Sequence, residues 1–187
     1  MTPTFSIETA RLRLRLPRPA DLDDYQTQVY GDPLVMRYLP GGVPRPIERT
    51  QAVIDLFAQH QVEHGFSVWT VELKDSGQFI GHCGLFCFTD AAEVEVAYAF
   101  GQAYWGQGYA PEAAHASLRF GFETANLPYI LALAVPANVA SQRVMQKIGM
   151  RHIGLTNQYY NNAELVLYRQ ERDTFQPGDA PYTVTGA

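Results

Sequence analysis

The stretch Tyr104-Trp105-Gly106-Gln107-Gly108-Tyr109-Ala110, YWGQGYA, followed by Pro111-Glu112, decides how this chain is read. Two glycines flank one polar residue, and the run opens onto an alanine-rich segment. Upstream, Glu93 to Phe100 (EVEVAYAF) alternates with the period of a strand. Downstream, Pro111 to about Thr124 reads as a helix, with proline at its first position and Glu112 complementing the helix dipole. A loop joining a strand to a helix N-terminus has free backbone amides to satisfy. Glycine permits positive φ and close approach of a ligand to the backbone. Consecutive amides and the helix dipole together suit an anion such as a pyrophosphate. The same glycines also suit a plain strand-to-helix turn, and the loop alone does not separate the two.

Working outward, Arg11 to Leu16 (RLRLRL) has the period-two pattern of a half-buried strand, ended by Pro17 and Pro19. Ala20 to Asp24 brings acidic residues to a helix start, and that helix should stop near Gly31. Pro40 to Pro46 (PGGVPRP) reads as a loop, and Glu48 to Glu63 as an amphipathic helix closed by His64-Gly65. Strands are expected at Phe66–Leu73, Phe79–Phe88 and Glu93–Phe100, with turns at Lys74 to Gln78 and Thr89 to Ala92. Tyr129 to Val135 (YILALAV) is a continuous apolar run, the mark of a strand covered on both faces. A helix from Val139 to Lys147, N-capped by Asn138 and stopped by Gly149, precedes closing strands at Met150–Thr156 and Ala163–Arg169. The unit from Glu93 to Val135 is a right-handed crossover between parallel strands. These elements predict a mixed α+β fold: a mixed, mostly antiparallel twisted sheet of six to seven strands with helices on both faces. Residues 1–175 form one domain, and 176–187 is expected to be a mobile tail without periodicity.

At 187 residues, 47% hydrophobic and 18% charged, the chain suits a single globular domain. A net charge of −5 argues against nucleic acid as the main partner, because phosphate backbones reward clustered Lys and Arg. Cys83 and Cys87 lie four apart on one predicted strand, roughly 13 Å between Cα atoms, too far for a disulfide. They read as small buried hydrophobes in a reducing compartment, and no metal spacing accompanies them. No apolar run is long enough for a membrane span and no signal core is present, so a cytoplasmic location is expected.

Residues 136–150, PANVASQRVMQKIGM, put Asn138, Ser141 and Met145 on one helix face. Alone, this is equally a capped helix with solvated polar residues. Taken in order, ETARLRLRLPRPAD, VMRYLPGG, FIGHCGL, EVAYAF, YWGQGYAPEA, NVASQRVMQKIGM and LVLYRQE resemble the GNAT superfamily of acyl-coenzyme A N-acyltransferases. Within it the chain is similar to the branch of ribosomal-protein N-terminal acetyltransferases of the Rim type, and the likeness covers nearly the whole chain. The resemblance implies acetyl-CoA as co-substrate and an amine acceptor, with no metal. It places the pyrophosphate on the amides of Gln107, Gly108, Tyr109 and Ala110, with Gly106 in the turn. It runs pantetheine along Ala99, Phe100 and Gln102, with Asn138 touching the arm. The family often carries Gln or Arg three residues before the glycine that is Gly108; here that residue is Trp105, which removes one side-chain anchor. A homodimer is compatible with the family.

For chemistry, an ammonium near pKa ~10 must lose a proton before it attacks a thioester. Strand parity puts Glu93, Glu95, Ala97 and Ala99 on one face and Val94, Val96, Tyr98 and Phe100 on the other. The resemblance favours Glu95 as base or amine anchor, with Glu93 second; a structural ion pair, or a side chain that simply faces water, is the competing reading. Many relatives place a tyrosine where this chain has Met145, so Ser141, one turn earlier, is the substitute proton donor, and packing beneath coenzyme A is its alternative role. Tyr159 and Tyr160 lie near the expected acceptor groove. His82 either faces the site or makes a structural hydrogen bond, and Asn161-Asn162 make a turn. The expected acceptor is a protein N-terminus or a small amine. An antibiotic- or polyamine-modifying enzyme, or a coenzyme A-binding sensor without catalysis, are the alternatives.

Overall fold

The computed structural model describes residues 5–88 and 93–186. Its strands are β1 (Ser6–Glu8), β2 (Leu12–Arg15), β3 (Val68–Leu73), β4 (Phe79–Cys87), β5 (Val94–Phe100), β6 (Tyr129–Ala134), β7 (Arg151–Thr156), β8 (Leu165–Glu171) and β9 (Thr183–Thr185). They form one nine-stranded sheet in the order β7-β8-β6-β5-β4-β3-β2-β1-β9. Every neighbouring pair is antiparallel except β5–β6, which the crossover makes parallel. The helices are α1 (Leu22–Tyr25), α2 (Pro33–Met36), α3 (Ile47–His64), α4 (Tyr109–Glu123) and α5 (Val139–Lys147).

The alternation of the strands divides the apolar residues into two cores. On one face Trp69, Cys83, Leu85, Val96 and Phe100 pack with Leu118 and Phe120 of α4 and Met145 and Ile148 of α5. On the other, Val68, Phe79 and Ala99 pack with Tyr25, Val29, Tyr30, Ile54 and Phe57 from the α1–α3 region. Helices on both faces of a mostly antiparallel sheet are the arrangement expected from the sequence.

Several details differ from that expectation. The sheet has two more strands than seven, because the short β1 and β9 carry too few residues for a periodic signal. The segment 176–186 is not a loose tail: β9 pairs with β1, Tyr182 and Val184 pack against the core, and the Arg119 guanidinium lies 4.4 Å from the Tyr182 ring centre. Helix α4 begins at Tyr109, so Pro111 stands third and not first, and Gly108 is the N-cap at φ +82°. The first helix turns into a π-helical segment, Gln26–Tyr30, before Gly31. The turn expected at Thr89 to Ala92 lies outside the described residues. Both cysteines are free thiols, and Cys83 is the buried one. Among the described residues, no helix is long and apolar enough to cross a membrane.

A bulge shapes the sheet beside β5. The β3–β4 register shifts between Val71 and Glu72, and Gly81 lies against β5 so closely that a Cβ there would sit 2.3 Å from the Ala99 carbonyl oxygen. After the bulge His82 faces the second core. There it stacks on Tyr25 and Tyr30, and burial holds its imidazole neutral, with a pKa lowered to about 3.

Arg15 is buried and satisfied from two directions. Its guanidinium donates to both Asp21 carboxylate oxygens at 2.7 and 2.8 Å and to Glu72 at 2.7 Å. Removing one partner leaves a buried charge half-compensated, so Asp21→Ala should lower unfolding stability by about 3–5 kcal/mol. Urea unfolding checks this; a loss no larger than that of an exposed pair such as Arg119–Glu123 contradicts it.

Candidate active site

Strands β5 and β6 run side by side only briefly. Their parallel ladder is held at Glu95–Leu131, and towards Phe100 the two strands part. A cleft of about 490 Å³ opens beside β5 between the α2 segment, the β5–α4 loop and α5. That volume lies in the ordinary range for small-molecule sites. Of the predicted cofactor residues, Ala99, Phe100, Trp105, Gly106, Gly108, Tyr109, Ala110, Asn138 and Ser141 line it. Residues from β5, the loop and α5, up to 42 positions apart in sequence, are thus brought to one wall.

The loop's backbone is arranged to donate. Gly106 and Gly108 take φ of +75° and +82°. Among the described residues, no carbonyl or side chain accepts a hydrogen bond from the amides of Gly106, Gln107, Gly108, Tyr109 or Ala110. Pro111 has no amide hydrogen, so it adds no further orphan donor. The lining contains the cations Arg37, Arg143 and Lys147 and no carboxylate, although the whole chain carries a net charge of −5. Arg143 and Lys147 lie one turn apart on α5, a signal visible in the sequence only once that face is known to border the cleft. Free amides, a helix N-terminus and three cations that pair with no carboxylate among the described residues converge on a site fitted to a polyanion.

Two predicted residues turn elsewhere. Gln102 donates from its amide to Asp32 at 2.6 Å and is absent from the lining. The Gln107 side chain donates to the Ala103 carbonyl at 2.7 Å. Trp105, the departure from the family pattern, donates from its indole to the Phe100 carbonyl at 2.7 Å and closes the loop back onto the strand end.

On α5, the Asn138 side chain accepts from the Ser141 amide at 3.1 Å, as an N-cap does. Ser141 faces the cleft, with its hydroxyl 2.9 Å from the Tyr98 hydroxyl, and Tyr98 also donates to the Ser141 carbonyl at 3.1 Å. Burial raises the Tyr98 phenol, so it stays neutral and acts as a hydrogen-bonding group. Strand parity had set Tyr98 on the face away from Glu95; its contact with Ser141 was not legible, because it joins residues 43 positions apart. Met145 does not share the cleft face with Asn138 and Ser141. It is 1% exposed and belongs to the core, because α5 packs that edge onto the sheet.

Glu95 lies on the opposite face, where β5 and β6 still pair, and is 4% exposed. It does not line that cleft. The Tyr160 hydroxyl donates to it, and among the described residues no cation pairs with it. Burial pushes its carboxyl up to about 7, against a downward pull from the Tyr160 hydrogen bond. The ion-pair reading of Glu95 is thereby removed. Glu93, nearer the strand start, accepts from Tyr159 at 2.8 Å and Tyr129 at 3.3 Å. The residues carrying Tyr160 form an unusual turn, with Tyr160, Asn161 and Asn162 all at positive φ. Asparagine tolerates this conformation best, in keeping with the expected turn.

His60, His64 and Cys87 bring potential metal-ligand atoms within 4.8 Å of one another. Both His60 nitrogens are engaged, at 2.8 Å to the Phe66 carbonyl and at 3.0 Å from the Cys87 amide, so the imidazole has no lone pair to offer an ion.

A forked parallel strand pair with an amide-rich loop at its mouth defines an acyl-coenzyme A-dependent transferase fold. The Acetyltransferase (GNAT) domain model matches residues 11–151, and the chain belongs to that family. It is 35% identical to the uncharacterized N-acetyltransferase YnaD of Bacillus subtilis over 79% of this chain and 84% of the relative. It is 34% identical to the uncharacterized protein YkkB of the same organism over 87% of this chain and 94% of the relative. A GNAT-family acetyltransferase from Bacillus anthracis superposes with a TM-score of 0.77 at 28% identity, covering 90% of this chain and 99% of the other. Fold likeness extends to a Rim-type acetyltransferase of Mycobacterium smegmatis, RimJ, at TM-score 0.73 and 20% identity, covering 91% of this chain and 88% of the other. The chain is a GNAT acetyltransferase, and acetyl-CoA is the acyl donor of that family.

Proposed function

We propose that the protein transfers the acetyl group of acetyl-CoA directly to a primary amine, within a ternary complex. The observation that carries this is the run of amides from Gly106 to Ala110, unpartnered among the described residues, beside a cleft lined by Arg37, Arg143 and Lys147. These groups hold the pyrophosphate and the remaining phosphate charge. Ala99 and Phe100 carry the pantetheine arm along the free edge of β5, with Asn138 opposite.

The acceptor approaches from the face of Glu95, so the thioester is met where β5 and β6 part. Glu95 takes the ammonium proton, directly or through one water, and its raised pKa is near the value that makes a carboxylate useful as a base at neutral pH. The neutral amine attacks the thioester carbonyl carbon, the carbon–sulfur bond breaks as the new carbon–nitrogen bond forms, and the surplus proton on that nitrogen passes through water to the departing thiolate. A backbone amide at the strand fork steadies the developing oxyanion. The thiolate leaves towards Ser141, whose hydroxyl donates to it once the Tyr98 hydroxyl turns from the Ser141 carbonyl to donate to Ser141 Oγ. A thiolate of pKa roughly 8.5 needs no more than that.

Release of free thiol from acetyl-CoA, measured across N-terminal peptides, polyamines and aminoglycosides, tests the proposal. Amine-dependent release with one class is the expected result and names the acceptor. Tight coenzyme binding with no release on any amine supports the sensor reading instead.

A further inference from the structure

Arg11 stands behind the cofactor loop, outside the cleft lining. Its guanidinium donates to the Gln107 carbonyl at 3.0 Å and to Glu112 from both Nε and Nη2 at 2.7 Å, and it lies 4.5 Å from the Tyr109 ring centre. Its own amide donates to Glu112 at 2.9 Å, and Thr9 donates to the same carboxylate at 2.7 Å. The turn between β1 and β2 is thus fastened to the first turn of α4 across 101 positions of sequence.

A peptide unit is planar and trans, so its C=O and N–H point in opposite directions. With the Gln107 carbonyl held by Arg11, the Gly108 N–H points away from Arg11. Glycine at 108 makes this arrangement possible, but it also makes a flip of the same peptide cheap, since positive and negative φ are both open to it. A flipped peptide would aim a carbonyl where the loop otherwise offers a donor. Glu112 poses a second problem. It suits the helix N-terminus, yet from outside the cleft lining its charge offsets the positive helix end that an incoming pyrophosphate would use.

We propose that Arg11 is a positioning residue for the cofactor: it locks the Gln107–Gly108 peptide in its donating orientation and neutralises Glu112 behind the pyrophosphate. This rests on the reading of residues 106–110 as the pyrophosphate site. Losing a charge-assisted bond of this kind corresponds to about tenfold in affinity.

The test is the Kd of coenzyme A by calorimetry, with KM and kcat for acetyl-CoA, in the full-length wild type, Arg11→Ala, Arg11→Lys and Arg11→Ala/Glu112→Gln. Arg11→Ala should raise Kd and KM about tenfold, with kcat at saturation unchanged, because uniform binding is lost and not transition-state stabilisation. The double variant recovers part of the loss by removing the uncompensated carboxylate. A merely structural brace predicts a lower melting temperature and an unchanged Kd when measured well below it, and that result overturns the proposal. Should Arg11→Ala not fold, Arg11→Lys decides: the ammonium lacks the planar fork that grips Glu112 through Nε and Nη2 while Nη1 holds Gln107, so a wild-type Kd there is equally fatal. If the wild type itself fails to bind coenzyme A, the site reading fails and takes the proposal with it. If Gly108→Glu loses binding while Arg11→Ala keeps it, the site stands and the role of Arg11 does not.

Discussion

Gly108→Glu loses the rise in melting temperature that acetyl-CoA gives the wild-type protein. Gly108 is the N-cap of α4 at φ +82°, a region where an L side chain costs roughly 1–2 kcal/mol. Strain alone would weaken the site without destroying it. The larger effect comes from where the side chain goes: a Cβ at this position lies 3.4 Å from the Arg11 guanidinium. A glutamate carboxylate there draws Arg11 off the Gln107 carbonyl, competes with Glu112 and leaves added negative charge beside the amides that hold the pyrophosphate. Millimolar acetyl-CoA should therefore stabilise the wild type, as any ligand of the native state does, and leave the variant unmoved. Gly106→Ala is the control: its φ is +75° but nothing lies within 4 Å of a Cβ there, so it incurs strain alone and keeps most of the shift. An undiminished shift in Gly108→Glu would remove the loop from the cofactor site.

Glu95→Gln keeps coenzyme A binding and lowers turnover by about a hundredfold or more, the usual worth of a positioned base. Glu95 is absent from the lining of the cleft proposed to hold the cofactor, so Kd for coenzyme A should not change. In the wild type, kcat/KM should climb with pH through about 7 as the buried carboxyl ionises; the variant lacks that limb. Stability moves in the opposite sense. Folding raises this pKa from an ordinary 4.5 to about 7, so between those values the folded state binds more protons than the unfolded one, and stability falls as pH rises. Above about 7 the ionised buried carboxylate costs on the order of 3 kcal/mol, which Glu95→Gln relieves. Relative to wild type, the variant should be more stable at pH 8 and indifferent at pH 4. Full activity in Glu95→Gln reassigns the base, with Glu93 next in line on the same strand face.

Much of the cleft wall was legible as local pattern. Gly106 and Gly108 announced positive φ because little else tolerates it, and Asn138 announced a cap because its side chain satisfies the Ser141 amide three residues on. The two-residue period of β5 set Glu95 and Tyr98 on opposite faces, as the two cores confirm. Where local pattern is silent, a long-range partner decides. Gln102 turned to Asp32, 70 positions away, and Met145 went to the core because the sheet claimed that edge of α5. The segment after Gln176 looked loose because Thr183–Thr185 is too short to show a period, but β1 offered it an edge to pair with.

The sequence by itself therefore determined the order of elements, the strand-to-helix loop with its orphan amides, and the face on which each β5 side chain lies. These follow from backbone sterics and from periods of 2 and 3.6 residues, which act within a few positions. Only the tertiary structure decided that β5 and β6 part beyond Glu95, that Tyr160 closes over that carboxylate and that Tyr98 reaches Ser141. It alone set Arg11 behind the loop and gathered Arg37, Arg143 and Lys147 around one cleft. Those contacts join residues tens of positions apart, and packing of the two cores is what brings them within a hydrogen bond of each other.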